Sequence, residues 1–106
     1  MPSKVKEKGV GSVKWVPVDE LIPYARNART HSEEQVAKIA SSIREFGFNN
    51  PVLVDEDSTI IAGHGRVLAS RKLGMDKVPV AVLGHLSDAQ KKAFVIADNR
   101  MALDAG

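Results

Sequence analysis

"IIAGHGRVLASRKLG", residues 60 to 74, runs from an apolar β-branched stretch through two glycines into a helical period. Ile60 and Ile61 read as a strand that Gly63 stops, and Val67, Leu68 and Leu73 recur at helical spacing until Gly74 closes the run. The helix therefore starts within residues 64 to 66, and a strand leads directly into it. That junction sets the fold class, because a strand delivering its chain into a helix needs a sheet for the helix to pack on.

Outward from it the pattern continues. "PVLVDEDSTIIAG" reads as two short strands, 52 to 54 and 59 to 62, around a polar turn at Asp55 to Ser58. Upstream, Val36, Ile39, Ala40, Ile43 and Phe46 recur at three-and-four spacing and predict a helix over 32 to 46 with one apolar face. Ser32 with Gln35 fits a capping box, and Gly47 stands at the stop. "VKWV" (13 to 16) is a further short strand before Pro17, with one possible helical turn at Asp19 to Ile22. "KVPVAVL" (77 to 83) is another strand, whose Pro79 points to a sheet edge or a strand start. A last helix opens with Ser87 and Gln90 as a second capping box and is expected to bury Ala93, Phe94 and Ala97 or Ile96. Strand, helix, hairpin, helix, strand, helix describes a small α+β domain, a mixed β-sheet with three main helices.

Length and composition bound the rest. A chain of 106 residues suits one modest core. Fifteen Lys and Arg against thirteen Asp and Glu leave a net charge of +2, too small an excess to establish nucleic-acid binding. The absence of cysteine excludes a disulfide framework, a thiolate zinc site and a cysteine nucleophile. No apolar run is long enough for a membrane span or a signal segment, and the sequence reads as a cytoplasmic domain. Residues 1 to 12, with Lys4, Lys6 and Lys8, read as a flexible basic arm, and 13 to 106 as one domain, expected to be a truncated piece or the first module of a longer protein.

The strand-to-helix junction is also where chemistry is expected. The first turn of a helix carries N–H groups without intrahelical partners and the positive end of the dipole, so anions settle there. Gly63 and Gly65 would let a phosphate approach, Arg66 adds a guanidinium fork, and His64 can donate a hydrogen bond. The alternative is a tight turn with His64 and Arg66 solvated at a helix start. Neither a Walker A loop nor a dinucleotide fingerprint is present.

Other residues admit two readings as well. His31 and His85 could pair with His64 on a metal, but no carboxylate stands at ligand spacing and no metal site is expected. Asp55, Glu56 and Asp57 suit a solvated hairpin turn better than a cation site. Lys4, Lys6, Lys8 and Lys14 with Arg26 and Arg29 could touch a DNA backbone or form an ordinary solvated surface. Trp15 and Tyr24 could stack on bases, though a strand and a broken turn favour packing roles.

"LIPYARNART", "IASSIREFGFNNPVLV", "IIAGHGRVLASRKLG" and "VIADNR" stand in an order and spacing that resemble the ParB-like N-terminal domain, the fold shared by ParB partition proteins and sulfiredoxin. The resemblance covers residues 13 to 103, and the variant with "GHGR" and "ADNR" is similar to the module preceding phage-type and prophage-type DNA methyltransferases. It implies that Gly63, His64, Gly65 and Arg66 hold the triphosphate of CTP or ATP with Mg²⁺, and that Asp98, Asn99 and Arg100 form a second phosphate motif. It further implies that Ser42, Ile43, Gly47 and Pro51 border the base and that Asn27 and Arg29 lie near the pocket. DNA engagement through the larger protein and a homodimer are the implied partners.

His64 and Gly65 depart from the Glu and Arg of the partition-protein turn. Two function classes follow: a nucleotide-binding module regulating DNA engagement or self-association, or an enzyme, a nuclease or nucleoside-triphosphate hydrolase with His64 and Asp98 as its catalytic candidates. Sulfiredoxin chemistry needs a cysteine in this turn, and no methyltransferase motif occurs, so neither activity is expected of this chain.

Overall fold

The computed structural model describes residues 12–24 and 31–105, with side chains to residue 97. Four strands, β1 (Val13–Pro17), β2 (Val52–Val54), β3 (Ile60–Ala62) and β4 (Lys77–Val82), combine with three helices, α1 (Glu33–Phe46), α2 (His64–Lys72) and α3 (Asp88–Ala105). The sheet order is β1-β4-β2-β3. β1 and β3 run antiparallel to their neighbours β4 and β2, whereas β2 and β4 pair in parallel, Val52 with Val80 and Val54 with Val82. A parallel pair needs a crossover, and β3 with α2 supplies it. The sheet is therefore mixed, in an α+β fold.

Strand alternation sorts two cores. Val52, Val54, Ile60, Val78 and Val80 face one side, where Val67 of α2 and Val18 and Leu21 close the layer. Ile61 faces the other side with Leu83, Val95 of α3 and the half-buried Tyr24, Leu53 and Phe94. Both faces of β3 are covered, which is why "IIA" reads as a continuous apolar run rather than an alternation.

The helix boundaries follow local chemistry. Ser32 Oγ accepts from Gln35 N at 3.1 Å at the start of α1, and Gly47 N donates to Ile43 O at its end. At α3 both halves of the capping box form, Gln90 N to Ser87 Oγ and Ser87 N to Gln90 Oε1. The polar turn between β2 and β3 is built on Asp55, whose Oδ1 accepts from Asp57 N and Thr59 N at 2.8 and 3.0 Å. Its Oδ2 lies 3.6 Å from Lys91 Nζ of α3. Asp55 is thus a buried structural carboxylate, while Glu56 and Asp57 remain exposed.

Three expectations are corrected. Pro79 does not mark a sheet edge, since β4 lies between β1 and β2. The proline is tolerated because β2 begins pairing only at Val80, so β4 has β1 alone beside it at residue 79. Among the described side chains of α3, Val95 is buried and Lys91 and Phe94 are half-buried, whereas Ala93, Ile96 and Ala97 are exposed. The helix begins after Ser87 and turns Val95 to the sheet, leaving Ile96 at 65% exposure. On α1, Ala40 is buried and Val36, Ile39 and Ile43 half-buried, but Phe46 is 69% exposed. α1 packs on α2, and Phe46 lies a full turn beyond Ile43 at the helix end. Between β1 and Leu21 the expected turn is a 3₁₀ turn, Val18–Glu20.

Candidate functional site

The start of α2 is made by Gly63. Its φ of 104° and ψ of 20° place it in left-handed backbone as the N-cap, which lets β3 turn directly into the helix. A Cβ there would lie 3.0 Å from Arg66 Nη2 and 3.3 Å from Val52 Cα. Gly65 answers a different need. A Cβ on it would meet Ile39 Cδ1 at 2.8 Å and His31 Nδ1 at 3.1 Å, so the glycine admits α1 and the residue before its cap onto the first turn of α2. Close helix packing accounts for Gly65 as built.

His64 and Arg66 diverge from this turn. The imidazole of His64 is buried at 6% exposure, and its Nε2 accepts from Tyr24 N at 3.3 Å. An accepting Nε2 puts the proton on Nδ1 of a neutral ring. Burial, reinforced by the neighbouring His31, lowers its pKa from 6.5 to about 4. The ring helps line a small apolar cavity with Leu21, Ile60, Val67, Leu68 and Arg71. His64 thus enters the site as a neutral, buried group.

Arg66 turns to the opposite side. Its Nη2 donates to Pro51 O at 3.1 Å, which ties the first turn of α2 to the entry of β2. There it lines a cleft of about 230 Å³ whose other walls are Ser42, Ile43 and Phe46 of α1 and the loop Gly47, Phe48, Asn49 and Asn50. Asn49 Nδ2 donates to Phe46 O at 2.7 Å and holds that loop against the helix end. The cleft joins a guanidinium, two amides, a hydroxyl and an exposed aromatic beside a helix N-terminus. Such a set can bind an anion carrying a flat ring.

Of the sequence-derived candidates, Ser42, Gly47, Pro51, Gly63 and Arg66 converge at this cleft and the turn that borders it. Gly65 is buried under α1, and His64 faces the apolar cavity. Asn27 and Arg29, with Arg26, lie outside the described residues, as do Lys4, Lys6 and Lys8. Asp98, Asn99 and Arg100 fall within α3, with their side chains outside the described ones. His31 stands beside the α2 start, whereas His85 is exposed elsewhere, and no group of three metal-ligating side chains occurs among the described residues. Trp15 is 56% exposed and Tyr24 joins the second core. Among the described residues, no helix is long and apolar enough to cross a membrane.

Sequence reasoning missed Phe46, Asn49 and Asn50 as cleft residues. Phe46 matched the apolar period and so read as core. A signal was available in the two amides of "FNNP", polar residues at the entry of an otherwise apolar strand.

The comparisons with known proteins agree with this architecture. A family model described as the ParB N-terminal domain matches residues 2–100. The ParB-like nuclease domain-containing protein YnaK of Escherichia coli (strain K12) is 62% identical over 80 residues, 76% of this chain and 92% of that protein. The nucleoid occlusion protein of Geobacillus thermodenitrificans (strain NG80-2) is 34% identical over 92 residues, 82% of this chain and 32% of its own length. Among solved structures, the C-terminally truncated chromosome-partitioning protein ParB from Caulobacter crescentus complexed with CTP-γ-S superposes with a TM-score of 0.72 at 30% identity. That match covers 86% of this chain and 54% of that one. Sulfiredoxin from Arabidopsis thaliana, with a TM-score of 0.63 at 22% identity over 70% of this chain and 86% of that one, shares the fold. The chain spans about a third of the nucleoid occlusion protein and about half of the partition protein. On the family model and the 62% identical relative together, this chain belongs to the ParB N-terminal domain family.

Proposed function

We propose that the chain is a nucleotide-binding module of a DNA-associated protein, holding a nucleoside triphosphate, CTP or ATP, with its phosphates at the α2 start and Arg66. The observation that carries this is the meeting of Arg66, on the first turn of α2, with Ser42 and the Gly47–Asn50 loop in one cleft. The residues present fit the group: the positive end of the α2 dipole and a guanidinium suit phosphate oxygens, and the loop amides suit a base edge. Mg²⁺ would be held mainly by the phosphates and water, as is usual for this ion. The 30% identical partition protein complexed with a CTP analogue supports the same assignment. Asn27, Arg29, Asp98, Asn99 and Arg100 complete the proposed pocket on the family pattern. A role at DNA follows the chromosome-partitioning and nucleoid occlusion relatives, and homodimer formation is part of the same proposal on the family pattern.

His64 does not act as a phosphate cation in this scheme. A neutral ring with Nε2 engaged by Tyr24 N holds the turn in shape, and Arg66 supplies the charge. The name of the 62% identical relative supports a second reading, a ParB-like nuclease, in which Asp98 would be the remaining candidate base. Nicking of supercoiled plasmid with Mg²⁺ that disappears in Asp98→Ala would favour it; no nicking would dismiss it.

Melting of the purified chain with CTP, ATP, GTP or UTP and Mg²⁺ tests the first reading. Ligand at 100 times its Kd adds about 2.7 kcal/mol of stability, and Arg66→Ala is expected to abolish the gain. No stabilisation of the native chain by any of the four at millimolar concentration would overturn the nucleotide assignment.

A further inference from the structure

Phe46 is the feature of the cleft that packing does not explain. It ends the apolar period of α1, yet the residue is 69% exposed and lines the cleft together with Arg66 and Ser42. Exposure alone is ordinary for a single apolar side chain; what sets this ring apart is that it lines the same cleft as Arg66, open to whatever enters it. Its place is held: Gly47 N donates to Ile43 O directly after it, and Asn49 Nδ2 donates to Phe46 O at 2.7 Å. The aromatic of α1, the guanidinium of α2 and the Asn49 and Asn50 amides line one cleft. Those are the groups that a planar ring attached to an anion requires.

Resting on the nucleotide reading above, we infer that Phe46 is the stacking platform for the base of the bound nucleotide, setting affinity for the nucleoside part while Arg66 and the α2 start hold the phosphates. Every base has a π face, so the platform serves pyrimidine and purine alike and raises affinity without choosing between them. Choice of base falls to the loop amides.

Calorimetry with two probes separates the roles: CTP with Mg²⁺, and inorganic tripolyphosphate, which carries the anion without a ring. Phe46→Ala is expected to weaken CTP at least about 5-fold, the low end of base–aromatic stacking, and to leave tripolyphosphate binding unchanged. Phe46→Trp is expected to restore CTP binding, because it returns a π face to the same wall. Both variants should melt with the native chain, since the ring is exposed. Unchanged CTP affinity in Phe46→Ala would overturn the inference while the nucleotide reading stood on Arg66→Ala. Equal losses of CTP and tripolyphosphate would also overturn it, by showing that the ring shapes the cleft as a whole. Failure of the native chain to bind either probe would overturn the nucleotide reading and this inference together.

Discussion

Acidification should destabilise this domain through one side chain. His64 is neutral and buried in the folded chain, with its pKa lowered to about 4 from the 6.5 of an exposed histidine. Between those values the unfolded chain binds a proton that the folded chain refuses. Stability therefore rises with pH through this window, is complete above about 6.5, and is lost as pH falls toward 4. The whole difference corresponds to about 3 kcal/mol, of which about 2 kcal/mol is gone by pH 5. For a domain of this size that is a fall in Tm of roughly 10 °C between pH 7 and pH 5. The neighbouring His31 acts in the same direction as burial. Urea titrations at pH 7, 6 and 5 read the slope, and proton NMR of the imidazole reads the titration itself. In His64→Gln, whose amide oxygen can still accept from Tyr24 N, the slope contributed by this site should vanish. A His64 resonance titrating near 6.5, or an unchanged slope in His64→Gln, would refute the reasoning.

Substitutions at two further positions test the frame that carries the cleft. Gly63→Ala forces an L side chain into a φ of 104° with Arg66 Nη2 at 3.0 Å. A loss of at least about 1–2 kcal/mol is expected in urea unfolding, and stability equal to the native chain would refute the left-handed cap. Asp55→Ala removes the acceptor of Asp57 N and Thr59 N and the partner of Lys91, and should cost about 2–3 kcal/mol. Asp55→Asn, which keeps an oxygen for the turn, should lose less than Asp55→Ala; equal losses would place the effect in the Lys91 pair instead.

Much of the fold is written in local chemistry. Ser32 with Gln35 and Ser87 with Gln90 announce two helix starts, and Gly63 announces the strand-to-helix turn, because caps and left-handed turns are decided within a few residues of chain. The same locality made the α2 start legible as a candidate site. The parallel pairing of β2 with β4 and the interior place of Pro79 were not legible, since register depends on residues more than twenty positions apart.

From the amino-acid sequence alone came the α+β class, the element order, the turn at Gly63 and the candidacy of Arg66. Tertiary structure decided which way the turn's side chains face. Neighbouring positions on a helix diverge in direction, so His64 enters an apolar cavity under Tyr24 while Arg66 enters the cleft beneath α1. It also decided that Gly65 makes room for Ile39 and His31, and that Phe46, apolar by its period, ends in solvent at the mouth of the cleft. A period states which residues share a face; only the packing of α1 on α2 states how far along that face the burial reaches.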